Sequence, residues 1–147
     1  MTYREVELND ETMQRLIALS ADWEAEQSCY GYRENTAEDI VGNRVFLAEE
    51  GGGIIGYLFG HIETAKNIRS ILPDGTSFFE IEELYVRPEY RSRGVGKALF
   101  GCAEAVLKRE TTFLLLSTAT KNWRAVLHFY IDEVGMDFWS ARLFKKI

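Results

Sequence analysis

The sequence predicts an α/β fold with one central sheet, mixed but mostly antiparallel, containing a bulged strand and carrying helices on both faces. Three observations lead there. Runs with two-residue apolar alternation are interleaved with segments whose apolar residues recur at three-and-four spacing, and such a mixture packs helices on the faces of a sheet. The alternation slips by one residue within Phe78–Val86, which a bulge absorbs. A basic, glycine-containing turn then opens an amphipathic helix. The 147 residues suit a single domain over 1–147, because two would each be too small for a secure core.

Each element follows in order. Tyr3 to Leu8 alternates as a first strand. Asn9 or Asp10 caps a helix whose one face holds Met13, Leu16, Ile17 and Trp23. Thr36 with Asp39 three residues on precedes a short helix with Ile40 and Val41. Arg44–Glu49 and Ile54–Ala65 are strands joined at Gly51-Gly52-Gly53, where glycine accepts the positive φ of a hairpin turn. Residues 66–77 form a loop with the turn Pro73-Asp74-Gly75. Phe78–Val86 is the next strand. Val95, Ala98, Leu99, Cys102, Ala103, Val106 and Leu107 mark a helix, Phe113–Thr118 a strand, and Trp123, Val126, Leu127, Tyr130 and Ile131 a second helix. Phe138–Phe144 reads as a closing strand.

Composition narrows the function. Apolar residues are 46% and charged residues 27%, a folding composition. The net charge of -6 argues against nucleic acid as partner. No apolar run approaches a membrane span of ~20 residues, and the N-terminus lacks a secretory pattern. Cys29 and Cys102 have no metal-ligand spacing, so no metal site and a cytoplasmic setting with free thiols are expected. His61 and His128 have no metal-spaced partner and read as structural. Cys102, on an apolar helix face, reads as inert core.

The slipped strand is the first functional clue. Phe79 and Ile81 share one face, yet the next apolar residues are Leu84 and Val86. A bulge at Glu82-Glu83 reconciles the two halves. Such a bulge splays neighbouring strands and frees backbone groups for a ligand lying like an extra strand.

The second clue is Arg91-Ser92-Arg93-Gly94-Val95-Gly96-Lys97. The first N–H groups of a helix lack internal partners and the macrodipole adds positive charge. With Arg91, Arg93 and Lys97 this forms an anion site suited to a pyrophosphate. Two phosphate motifs fail here. GxxxxGK[ST] lacks its first glycine, and GxGxxG meets Leu99 where the third glycine belongs.

Strand, turn and helix together resemble the acyl-CoA-binding core of the GCN5-related N-acetyltransferases. That family's [RQ]-x-x-G-x-[GA] appears as Arg91-Ser92-Arg93-Gly94-Val95-Gly96, after Glu83-Leu84-Tyr85-Val86-Arg87-Pro88-Glu89-Tyr90. Its N-x-x-A-x-x-F-Y appears from Asn122 to Tyr130 as Asn122-Trp123-Arg124-Ala125-Val126-Leu127-His128-Phe129-Tyr130. The resemblance implies acetyl-CoA as donor, with its pyrophosphate held by the amides of residues 91–96 and assisted by the side chains of Arg91, Arg93 and Lys97. It implies pantetheine pairing along Leu84, Tyr85 and Val86, an amide contact from Asn122, and Tyr130 as acid for the departing thiolate. In the family a glycine usually follows the tyrosine by four residues. Here Gly135 follows by five, so the helix end is altered.

The implied chemistry needs a base, since an alkyl ammonium with a pKa of ~10.4 must lose a proton before it attacks. Glu82 and Glu83 are equal candidates and Glu80 the third. Glu82 should face away from Phe79 and Ile81, whereas the direction of Glu83 is left open by the slip. Direct attack within a ternary complex is preferred to an acyl-enzyme. Asp22, Glu24, Glu26, Glu34 and Glu38, interleaved with Trp23, Tyr30 and Tyr32, suit a small cationic amine of aminoglycoside or polyamine type, or are simply a solvated surface. A protein N-terminus or lysine is an alternative acceptor, and a catalytically silent acetyl-CoA sensor is an alternative role. Phe138, Trp139 and Phe144 could form a homodimer edge, and could equally be core.

Overall fold

A computed structural model describes residues 1–68 and 70–147. Five strands form one sheet in the order β1 (Thr2–Val6), β2 (Arg44–Glu50), β3 (Gly53–Thr64), β4 (Ser77–Val86) and β5 (Phe113–Leu115). The first four pair antiparallel and β5 joins β4 in parallel, the mixed sheet the sequence predicts. Arg69, within the predicted 66–77 loop, lies outside the described residues.

Helix α1 (Asp10–Glu26) begins at Asn9, whose side chain accepts from the Thr12 N–H at 2.8 Å. Helix α2 (Ala37–Ile40) opens with a reciprocal cap between Thr36 and Asp39. Their apolar residues Leu16, Leu19 and Ile40 bury one face of the sheet against Val45, Leu47, Tyr57 and Phe59. On the other face lies α3 (Val95–Leu107), with Val95, Leu99, Phe100, Ala103 and Leu107 packed against Phe46, Leu58, Phe79 and Ile81. Fully burying each of the valine, leucine, isoleucine and phenylalanine side chains contributes about 1.5–3 kcal/mol. Cys102 packs beside this core, in keeping with its apolar helix position.

Two predicted elements are altered at the C-terminal end. The helix expected through Ile131 is α-helical only over α4 (Trp123–Leu127), and His128–Glu133 forms a π-helical turn. The Val134 N–H reaches the Phe129 carbonyl at 3.1 Å, five residues back. The extra residue between Tyr130 and Gly135 is taken up by this wider turn, a feature that single insertions into helices produce.

The closing strand expected over Phe138–Phe144 does not form. No strand or helix is assigned after Glu133. Alternating apolar residues make a strand only where an edge offers a ladder, and the backbone turns at Gly135 with φ 78°. The tail passes Tyr30, whose ring meets that of Phe144 at 5.6 Å, rather than running along β5.

Candidate active site

The bulge forms where the slip requires it. Phe59 pairs with Glu83 and Gly60 with Ile81, leaving Glu82 as the extra residue. Phe79, Ile81, Leu84 and Val86 therefore all face the α3 core, while Glu83 and Tyr85 turn toward α1. Opposite the bulge, Gly60 has no room for a side chain: a Cβ there would lie 2.0 Å from the Glu80 carbonyl oxygen. Sequence reasoning did not single out Gly60, because a glycine inside a strand carries no mark of which backbone it approaches.

β4 and β5 pair only from Phe78 to Glu80. Beyond Glu80 the edge of β4 that faces β5 has no ladder partner among the described residues, and the two strands diverge. The backbone of Leu84, Tyr85 and Val86 lines this gap. One of its groups is engaged, since the Val86 carbonyl accepts from Arg91 Nε at 2.8 Å.

The carboxylates have different surroundings. Glu83 Oε1 accepts from the Tyr57 hydroxyl at 2.8 Å, the Tyr32 hydroxyl at 2.9 Å and Asn35 Nδ2 at 3.0 Å. Burial pushes its carboxyl above the usual carboxylate range, and those three bonds pull the other way. Tyr57 is fully buried and reads in sequence as a core aromatic, and Asn35 as a loop residue, so neither announced this role. Glu82 is exposed at the bulge, with an oxygen 3.6 Å from His61 Nδ1. Glu80 is pushed up to about 7, first by burial and then by the charges of Glu82 and Glu63, with His61 opposing. His61 also meets Glu63 at 2.8 Å and Asn43 at 3.1 Å.

Glu82 and Glu83 together line an open cleft of ≈ 380 Å³. Glu38 and Asp39 face it from α2, and no lysine or arginine lines it. Two of the acidic residues expected here, Glu26 and Glu24, serve other contacts. Glu26 pairs with Arg91 at 2.7 Å, and Glu24 accepts the Glu34 N–H. Trp23 stacks on Tyr85 and meets Tyr32 at a tilt, with ring centres 5.2 and 4.3 Å away.

The basic turn reaches the end of the gap. Ser92 and Gly94 have positive φ, 59° and 81°, and Gly94 is the N-cap of α3 without any side-chain bond to the helix start. The first-turn N–H groups at Val95, Gly96 and Lys97 are thus left as donors. Gly96 also lets α3 sit against Phe129, whose ring would lie 3.3 Å from a Cβ. The Arg91 guanidinium is held bidentately by Glu26, and Arg93 lies over the Tyr90 ring. Lys97 is exposed.

Asn122 caps α4 and its side chain makes no hydrogen bond to the cap. Tyr130, in the π turn, packs against the α3 core. Burial, and next the nearby Cys29, raise its hydroxyl above the ordinary value. Cys29 bridges to Thr120, which fastens the segment after α1 beside the start of α4.

A sheet splayed at a bulge, with a helix start aimed at the splay, is the acyl-CoA-binding architecture of an acetyltransferase. Comparison agrees: residues 9–136 match the acetyltransferase (GNAT) family, and the chain belongs to it. It is an N-acetyltransferase, and acetyl-CoA is the donor this family uses. The open ladder groups of β4 and the free N–H groups of α3 fit that donor's pantetheine and pyrophosphate. No curated protein matches. Among solved structures, an aminoglycoside acetyltransferase from an uncultured soil metagenomic sample is similar at TM-score 0.72 and 15% identity, over 99% of this chain and 95% of that one. An aminoglycoside N-acetyltransferase in complex with CoA is similar at 0.67 and 17%, over 99% and 98%. The ribosomal-protein-alanine N-acetyltransferase of Brucella melitensis biovar Abortus 2308 is similar at 0.67 and 14%, over 99% and 100%. At these identities the likeness establishes the shared fold. Among the described residues no helix is long and apolar enough to cross a membrane.

Proposed function

We propose that the protein acetylates a primary amine of a small cationic molecule, of aminoglycoside or polyamine type. The observation that carries this is the cleft at the bulge, lined by Glu38, Asp39, Glu82 and Glu83 together with His61 and, among the described residues, by no lysine or arginine. An ammonium is attracted to such a site. The solved aminoglycoside acetyltransferases of similar fold support the same acceptor class.

The donor lies along the gap. Amides of residues 92–97 hold its pyrophosphate, with Arg93 and Lys97 as the nearest free charges. Arg91 is instead a brace between α1 and β4. Leu84, Tyr85 and Val86 present backbone groups to pantetheine, and Asn122 presents its amide from the far side.

Glu83 is the base. Three donors fix Oε1, leaving Oε2 to take a proton, and its raised pKa suits proton removal nearer neutrality. Glu82 attracts the ammonium. The neutral amine attacks the thioester carbonyl directly, a C–N bond forms, the C–S bond breaks, the departing thiolate takes the Tyr130 proton, and the second proton lost by the amide nitrogen restores the Tyr130 hydroxyl. The setting is cytoplasmic, in keeping with two free cysteines.

The test is CoA release from acetyl-CoA against aminoglycosides, polyamines, amino acids and short peptides, with acetyl-CoA binding followed by calorimetry. Turnover confined to the polycationic small molecules is expected. Turnover confined to peptides would transfer the assignment to a protein acceptor. Donor binding without any turnover would favour the silent sensor.

A further inference from the structure

Trp23 lies half-buried near the end of α1 and is held on two sides. Its ring stacks on Tyr85, with centres 5.2 Å apart and an interplanar angle of 25°. Its indole N–H donates to Ser28 Oγ at 3.3 Å. Tyr85 is a firm support. It is buried on β4, its hydroxyl donates to Glu26 at 2.8 Å, and the Arg91 guanidinium lies 5.4 Å from its ring centre. With both contacts made, the two side-chain torsions of Trp23 have little freedom left.

Trp23 also carries Tyr32. The two ring centres are 4.3 Å apart, tilted by 31°. Tyr32 belongs to a loop that is tied at its ends. The Tyr30 N–H reaches the Ala119 carbonyl and the Asn35 N–H reaches Ser20 Oγ, each at 2.9 Å. Between those ties Gly31 has φ 71°, and Gly31 and Arg33 are exposed. There Tyr32 meets Trp23 with its ring and Glu83 Oε1 with its hydroxyl, at 2.9 Å.

The other two donors on Glu83 are placed independently. Tyr57 is set by its strand, and Asn35 by its own bond to Ser20. Tyr32 is the donor whose aim depends on a side-chain platform. A hydrogen bond weakens steeply when its angle departs far from linear, so whatever fixes the Tyr32 ring also fixes this bond.

We propose that Trp23 is a positioning residue for Glu83, holding the Tyr32 ring so that its hydroxyl stays on the carboxylate. Its part in acetyl transfer rests on the reading of Glu83 as the base. Trp23 does not line the cleft, so it acts through Tyr32. The Tyr32 hydroxyl favours the charged carboxyl, and a loosened Tyr32 leaves Glu83 easier to protonate.

Carboxyl NMR of the full chain labelled at glutamate reads the Glu83 titration directly, and the pH profile of kcat/KM reads the base. Trp23→Leu should raise the Glu83 midpoint by about half a pH unit, about threefold in proton affinity, and move the acid limb with it. Trp23→Met, which fills the space with a flexible chain, should do the same if the leucine variant does not fold by circular dichroism. Trp23→Phe keeps an aromatic face and should restore both readings. In a Tyr32→Phe background, Trp23→Leu or Trp23→Met should add no further rise. A midpoint unmoved in the folded Leu or Met variant overturns the proposal, as does a rise that persists in full without the Tyr32 hydroxyl. An acid limb that stays put while the Glu83 midpoint rises upholds the linkage of Trp23 to Glu83 and refutes Glu83 as the base, so the two failures are distinct.

Discussion

Replacing Tyr57 by phenylalanine removes one hydroxyl and changes nothing else in shape. That hydroxyl is the shortest of the three donors on Glu83, at 2.8 Å, and sits on a residue with 0% exposure. A hydrogen bond to a charged group contributes about 1.5–3 kcal/mol. Because Tyr32 and Asn35 still serve Glu83, the lower end applies, about 1.5 kcal/mol or roughly tenfold in the folding equilibrium. The cost must depend on pH. The hydroxyl favours the charged carboxyl, so its loss raises the folded pKa further. The destabilisation is then small at low pH, where Glu83 is protonated in both proteins. It grows as the pH rises above the ordinary carboxylate value of 4.5. Urea unfolding of wild type, Tyr57→Phe, Glu83→Gln and the double variant measures the coupling between the two residues. If Glu83 is the base, the acid limb of kcat/KM moves to higher pH in Tyr57→Phe. Equal stability of wild type and Tyr57→Phe across the pH range, with an unmoved acid limb, would refute both the network and the assignment of Glu83.

Gly60→Ala should cost more than an ordinary surface glycine change, about 3 kcal/mol or more, because its Cβ meets backbone at 2.0 Å. A Tm close to wild type would mean that the bulge relaxes freely. Glu80 titrates near 7 when folded rather than at 4.5. Its contribution to stability is complete below 4.5 and is lost as pH rises through 7. Glu80→Gln should therefore gain on wild type over that window, and parallel stability curves would contradict the raised titration of this half-buried carboxyl. Lys97→Ala with Arg93→Ala should weaken acetyl-CoA binding and flatten its salt dependence, whereas Arg91→Ala should act mainly on thermal stability through lost contacts to Glu26 and Val86. Calorimetry at two ionic strengths separates these.

The sheet, the bulge and the basic helix start were legible because each rests on local pattern. A slipped alternation has only one inexpensive solution, and Asn9, Thr36 and Gly94 mark helix starts by chemistry that acts within a few residues. What could not be read depends on residues distant in sequence. Tyr57 on β3 and Tyr32 and Asn35 in the loop before α2 converge on Glu83 from two separate segments. Glu26, 65 residues away, pairs with the Arg91 guanidinium, a contact that the local basic pattern does not announce. The closing strand failed for a related reason: alternation in Phe138–Phe144 shows a wish to pair, and says nothing of which edge is within reach.

Two single-residue insertions flank the gap, and each redirects a side chain placed in the chemistry. In β4 the extra residue, Glu82, lets Glu83 and Tyr85 turn toward α1 while Leu84 and Val86 stay in the α3 core. In the segment after α4 the wider turn carries Tyr130 between Phe129 and Gly135. Regular structure would place neither group as it stands, since a plain strand cannot aim adjacent residues at one cleft. Removing Glu82 makes the point physical. Phe79, Ile81 and Leu84 would then fall into regular alternation, so the core could keep its packing, but β4 would give the cleft one carboxylate where it now gives two. The irregularity therefore contributes little to folding and belongs to the site. Gly60, with no room for a Cβ, is what permits β3 to follow the bulge.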